Sequence, residues 1–198
     1  MKTVMPLQPG HYYHIYNRGN NGENLFVAER NYAYFLNLYA RHIEPVAETF
    51  AYCLLRNHFH LLVRVREERP GRSAGPAGPN VSQAFSNFFN AYTKSINSAY
   101  GRTGSLFEKP FQRIEVTTPQ YCVRLVHYIH WNPQKHGFVE DFRDYPYSSY
   151  HALLSDRPVL LQRDAVLEWF QGRESFDAVH RMLTDEKDIA HLIQDDLD

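Results

Sequence analysis

The sequence predicts an α+β fold: a ferredoxin-like split βαβ antiparallel sheet with helices on one face, followed by a small helical C-terminal extension. Three observations predict it. Short aromatic and β-branched runs bounded by turn residues mark four strands. Apolar residues at three- and four-residue spacing mark the helices between them. The first six elements then run strand, helix, strand, strand, helix, strand.

Each element has a local cause. His11-Tyr12-Tyr13-His14-Ile15-Tyr16-Asn17 reads as a strand that runs into the Gly- and Asn-rich turn at 18–22. Tyr32, Phe35, Leu36 and Tyr39 set a helical face over 29–43, which Pro45 ends. Residues 46–55 and 58–65 read as two strands turned at Arg56-Asn57. Residues 66–80 hold four Gly or Pro in the last six positions and read as a flexible loop, an insertion rather than a clamp despite Arg66, Arg69 and Arg72. Helical spacing resumes at Val81, Phe85, Phe88, Phe89, Tyr92 and Ile96, and Gly101 closes it. A loop precedes a short strand at 112–116. Thr118-Pro119 is a helix start, a capping hydroxyl followed by Pro at the first helical position, and Pro133 is expected to stop that helix near Asn132. A polar, aromatic connector from Tyr145 leads to two short helices at 163–170 and 175–183 and an acidic end. The expected division is a domain over 1–152 and an acidic helical extension over 153–198.

Composition narrows the function. The chain has 198 residues, 43% of them hydrophobic, which excludes a disordered chain and suits one domain with an appendage. No apolar run approaches the roughly 20 residues that cross a bilayer, and the first ten residues lack a signal-peptide core, so a cytoplasmic protein without membrane contact is expected. Cys53 and Cys122 sit in apolar runs as reduced thiols. The net charge of −1 hides an asymmetry: 15 Lys and Arg against 8 acidic residues over 1–137, and 6 against 14 beyond. A basic body with 14 Tyr and 13 Phe suits nucleic acid, with rings on which unpaired bases stack.

His58 and His60 flank Phe59 on a predicted strand, so both imidazoles share one face while Phe59 enters the core on the other. Two neutral imidazoles on one face are half of a divalent-metal site. Leu62 stands where a nucleotide hydrolase would carry a third alternate His, and Leu62-Val63 stand where a metallo-β-lactamase would carry Asp-His. On the last long helix Tyr128 and Asn132 lie four apart on one face, with Tyr121 and Leu125 on the same stripe. A tyrosyl oxygen can act as a nucleophile toward phosphorus and an Asn carbonyl can serve as a third ligand, while a core aromatic and a helix-end polar residue are the plainer reading of the two. His130, two residues on, points away from Tyr128, and no residue is identified as the base.

Asn57-His58-Phe59-His60 resembles the His–hydrophobic–His motif of the single-tyrosine transposases. Tyr128-Ile129-His130-Trp131-Asn132-Pro133, with Gly137-Phe138-Val139 after it, resembles the tyrosine-bearing helix of the REP-associated tyrosine transposases. Three further stretches resemble that family in order: the first strand with Arg18-Gly19, Gly101-Arg102-Thr103-Gly104-Ser105-Leu106-Phe107, and Tyr145-Pro146-Tyr147-Ser148-Ser149-Tyr150. The resemblance implies a metal-dependent single-strand DNA endonuclease and strand transferase. Tyr128 would form a 5′-phosphotyrosine, and His58, His60 and Asn132 would hold Mg²⁺ or Mn²⁺. The implied substrate is single-stranded hairpin DNA, with phosphate contacts expected from Arg18, Arg56, Lys94, Arg102, Lys109 and Arg113.

Relatives among the insertion-sequence transposases carry Gln where this chain has Asn132, and the commoner family residues differ at Trp131 and over Gln134-Lys135-His136, changes that need not touch the chemistry. Monomer and homodimer are both open, since related transposases serve the metal site with a tyrosine in cis or in trans. Two other readings compete: a domesticated, non-catalytic binder of DNA or RNA hairpins, and a phosphoesterase that uses water while Tyr128 only packs.

Overall fold

The computed structural model describes residues 6–67 and 80–182. Most of the expected 66–80 loop and the acidic end beyond Met182 lie outside the described residues. The chain runs β1 (Tyr12–Arg18), α1 (Glu29–Ile43), β2 (Ala47–Leu54), β3 (His58–Val65), α2 (Val81–Tyr100), β4 (Gln112–Val116), α3 (Pro119–Lys135), α4 (Tyr150–Leu154), α5 (Arg163–Trp169) and α6 (Arg173–Met182). Short 3-10 turns occupy Asn20–Gly22 and Phe142–Asp144. The four strands form one sheet in the order β2-β3-β1-β4, with every neighbouring pair antiparallel. This is the expected split βαβ arrangement.

Strand alternation divides the sheet into two differently used faces. Tyr13, Ile15, Phe59, Leu61 and Val63 point to one face and pack against α1 and α2, where Phe35, Phe88 and Tyr92 complete a core rich in rings. The two helices of the split βαβ unit therefore share one face, as expected. The seventh element, α3, crosses the other face over β2 and β3. There Leu62, Phe50, Leu125 and Ile129 form a second core, which Phe170 of the α5 end and Phe176 of α6 close from outside. A bulge between Thr49 and Ala51 gives β2 one extra residue, so Phe50 and Ala51 both turn to this second core.

Helix ends follow their local chemistry. Asn80 caps α2 by accepting from Gln83 N–H (3.0 Å), and Gly101 ends it at φ +64, a left-handed conformation that costs glycine little. Thr118 Oγ1 accepts from Tyr121 N–H (3.1 Å), with Pro119 at the first helical position. The expected stop at Pro133 is corrected: α3 continues to Lys135. Pro133 removes only its own N–H, while His136 N–H still reaches the Asn132 carbonyl (3.0 Å), so the last turn closes around it. The aromatic connector is corrected too, because Tyr150–Leu154 is helical; the expected division at 152 falls inside this turn and a half. Cys53 and Cys122 are both free and buried.

Candidate active site

The central pair of strands builds the floor of the site. In the β1–β3 register Tyr16 lies opposite His60 and Arg18 opposite His58, so these side chains share the α3 face. Phe59 is fully buried on the opposite face, as alternation requires. His58 is half-buried at the open end of β3, while His60, one pleat further in, is only 1% exposed.

The structure brings the sequence-predicted tyrosine and ligands together. The Tyr128 ring stands edge-on to His60 at 5.6 Å between centroids. One turn on, Asn132 Oδ1 lies 3.4 Å from His58 Nε2, with Asn132 Nδ2 directed at the Tyr128 carbonyl (3.5 Å). Tyr128 and Asn132 are both 0% exposed, so the site is closed by its own helix.

Sequence reasoning missed several neighbours. His14 of β1 is buried, with its Nε2 2.9 Å from His60 Nδ1 and the two rings edge to edge, their planes 24° apart. The Tyr16 ring lies against both, 4.8 Å from His14 and 5.7 Å from His60 between centroids. The residues set aside as departures also reach the site: the His136 ring is 4.8 Å from His58, and Lys135 Nζ is 5.3 Å from the Tyr128 ring. The usable signal was the alternation of β1, which puts His14, Tyr16 and Arg18 on one face, together with a register no single strand reveals.

Burial keeps His60 neutral. Burial, reinforced by His14, His58, His136 and Lys135, holds the His60 imidazole well below its usual pKa. A neutral imidazole retains a lone pair, the form a metal ligand needs. His58 Nδ1 lies 2.8 Å from Asn57 Oδ1, a pure acceptor, so in a neutral, metal-binding His58 the proton sits on Nδ1 and Nε2 is the lone-pair nitrogen. That nitrogen then meets Asn132 Oδ1, and two acceptors 3.4 Å apart are an arrangement that a cation between them relieves. His60 Nε2 is buried with no hydrogen-bond partner. Two imidazoles and one amide therefore fit a divalent ion, although no group of three or more His, Cys, Asp or Glu closes a metal site among the described residues.

A second histidine group holds α3 from behind. His180 Nδ1 donates to the Phe176 carbonyl (2.8 Å), leaving its Nε2 to accept from His130 Nδ1 (2.9 Å). His130 Nε2 then accepts from the Ser149 hydroxyl (2.7 Å), whose oxygen takes the Tyr52 N–H (2.9 Å). Each group has a fixed direction, and the chain of bonds ties β2, α3 and α6 together. Burial, with His127 beside it, pushes His180 down to about 3, and burial holds His130 well below its usual range. His130 faces away from Tyr128, as expected.

The six expected phosphate contacts separate by position. Arg18 flanks His58 and pairs with Glu108 (2.7 Å), and Arg56 is exposed in the turn before Asn57. Arg102 is held by Asn97 (2.6 Å) and by Glu23, and Lys109 is exposed beside a cavity of about 730 Å³. Lys94 lies exposed on α2. Arg113 belongs to the opposite face, bonded to Ser82 Oγ (2.8 Å) and stacked over Phe111 at 3.9 Å. No helix of the described residues is long and apolar enough to cross a membrane.

No family model matches the chain. A curated Haemophilus influenzae protein named as a REP-associated tyrosine transposase is 28% identical over 109 residues, which cover 52% of this chain and 59% of that protein's length. A solved REP-associated tyrosine transposase bound to a REP hairpin shares the fold, with a TM-score of 0.63 at 17% identity over 80% of this chain and 88% of the other. In sequence over about half of its length, and in fold over most of it, the chain is similar to REP-associated tyrosine transposases.

Proposed function

We propose that the chain is a metal-dependent single-strand DNA endonuclease and strand transferase that acts on hairpin, REP-like DNA through a 5′-phosphotyrosine. The observation that carries the reading is the meeting of Tyr128 and Asn132 on α3 with His58 and His60 on β3. Core packing alone accounts for Tyr128. It does not account for two imidazoles and a buried amide oxygen gathered beside it.

In this reading His58 Nε2, His60 Nε2 and Asn132 Oδ1 hold Mg²⁺ or Mn²⁺. The ion supplies Lewis-acid polarisation of the scissile phosphate and charge neutralisation at the leaving oxygen. Tyr128 Oη gives up its proton as its bond to phosphorus forms and the O3′–P bond breaks. The products are a 5′-phosphotyrosine and a 3′-hydroxyl that takes up a proton. A later 3′-hydroxyl reverses the exchange, so strands rejoin without an added energy source. Arg18 and Arg56, at the open end of the site, are placed to hold backbone phosphates. A fully buried Tyr128 reaches a phosphodiester only when α3 shifts, so strand entry and helix movement are one event.

The burial of Tyr128 is also what favours the second reading, a non-catalytic binder of DNA or RNA hairpins on the same fold. One experiment separates them: the protein with Mn²⁺ and labelled single-stranded hairpins from the DNA flanking its own gene. The proposal expects a denaturation-resistant protein–DNA adduct that Tyr128→Phe loses. Tight hairpin binding without an adduct selects the binder. Cleavage that survives Tyr128→Phe selects water as the nucleophile.

A further inference from the structure

His60 is 1% exposed, and its two ring nitrogens have different surroundings. Nδ1 is 2.9 Å from Nε2 of His14, itself 1% exposed. Nε2 has no hydrogen-bond partner. Neutral imidazole carries one proton, so only two arrangements exist. With the proton on Nε2, His60 would bury an unpaired N–H donor. With the proton on Nδ1, the donor is satisfied by His14, and what remains at Nε2 is a lone pair. Counting orphaned donors does not choose between them, because the second arrangement moves the His14 proton to its own buried Nδ1; a metal ligand needs its lone pair at Nε2, and that selects the second arrangement.

We infer that His14 is a positioning residue for the metal half-site: it accepts the Nδ1 proton of His60 and thereby fixes the tautomer that presents Nε2 as a ligand. The inference rests on the metal reading above, and it assigns a task to a residue that neither spacing nor motif singled out. Asn57 stands to His58 as His14 stands to His60, because its Oδ1 takes the Nδ1 proton at 2.8 Å. The outer partner differs in kind. Asn57 immediately precedes its histidine in the turn that leads into β3, whereas His14 comes from the neighbouring strand and is available only in the register that puts His14 opposite Leu62. Correct β1–β3 pairing and a competent His60 are thus one condition. Such partners orient a ligating imidazole and raise its basicity, and their loss commonly costs about 10- to 100-fold in metal affinity.

The test uses the full chain and two readouts. The first is ¹⁵N NMR of the metal-free protein, which distinguishes a protonated from an unprotonated ring nitrogen at His60. The expected result is a protonated Nδ1 and an unprotonated Nε2; a protonated Nε2 overturns the inference without reference to any metal. The second is Mn²⁺ titration of the wild type and of His14→Phe, His14→Gln and His60→Ala. His14→Phe keeps a planar ring without an acceptor and is expected to weaken Mn²⁺ binding about 10- to 100-fold. His14→Gln places an amide oxygen near the Nε2 position and is expected to restore affinity to within about threefold of wild type. Equal affinity in wild type and His14→Phe, where His60→Ala has lost binding, overturns the inference. So does His14→Gln binding as weakly as His14→Phe, since that assigns His14 to packing alone. A wild type that binds no Mn²⁺ removes the metal reading itself, and the NMR result then decides on His14 separately.

Discussion

His58 Nε2 and Asn132 Oδ1, 74 positions apart in sequence, face each other at 3.4 Å across the gap between a strand and a helix. With His58 neutral, Asn57 holds its proton on Nδ1 and the facing atoms are both acceptors. Asn132→Ala is expected to weaken Mn²⁺ binding by about tenfold or more, and Asn132→Asp to strengthen it, because a carboxylate adds charge at the same reach. Isothermal titration of the three proteins checks this. Unchanged affinity in both variants would remove Asn132 from the ligand set.

The Tyr128 ring lies 5.6 Å from His60 of the same chain, an arrangement in cis. Mixing His58→Ala with Tyr128→Phe chains is therefore expected to recover no adduct. Recovery above the sum of the separate proteins would show that the helix is exchanged between two copies.

Acid should loosen the attachment of α6. The His180 imidazole sits at about 3 when folded, below the ordinary value of about 6.5. Between those values the unfolded chain binds a proton that the folded chain refuses. The stability contribution is whole above pH 6.5 and is lost progressively as pH falls toward 3, reaching about 2 kcal/mol at pH 5. Urea unfolding at pH 7 and pH 5 measures the loss. His180→Phe should lower stability at pH 7 and flatten the pH dependence.

The basic residues should separate under salt titration. Arg18→Gln and Arg56→Gln, at the open end of the site, are expected each to weaken hairpin binding and to reduce the slope of log affinity against log salt by about one. Arg113→Gln should leave that slope unchanged, because its guanidinium is spent on Ser82 and Phe111 behind the sheet.

Thr118→Ala removes the side-chain acceptor that caps the start of α3, at a cost of about 1 kcal/mol. Chemical denaturation checks it. Because Tyr128 rides on the same helix, adduct formation should weaken with little change in hairpin affinity.

What the sequence revealed depended on how local the cause was. The His58–Val65 strand is legible because period-two alternation, a turn at Arg56-Asn57 and the His-Phe-His pattern all agree. The start of α3 is equally plain, since Thr118-Pro119 is a complete local signal. Its end is not, because the effect of Pro133 depends on whether the next carbonyl bond survives, which is a property of the folded turn. Tyr128 and Asn132 could be paired from helical spacing, and His58 and His60 from strand spacing. That the two pairs meet follows from where α3 lies on the sheet. His14, Lys135 and His136 were invisible for the same reason, each joining the site through register or a helix end. The wire from Tyr52 to His180 spans four separated segments and has no sequence signature at all.

In the proposed reading, a nucleophilic Tyr128 at zero exposure would set a threshold ahead of any chemistry. Were the open form of α3 populated at 1%, a strand would bind with an apparent affinity about 100-fold below its intrinsic one. Only a ligand with enough additional contacts to the body would overcome that deficit, and a hairpin with an adjoining single strand offers more of them than a bare strand. Discrimination would then fall on the opening step, before any bond is cut. Random single strands in the cell, however abundant, would meet a closed door rather than a poor fit.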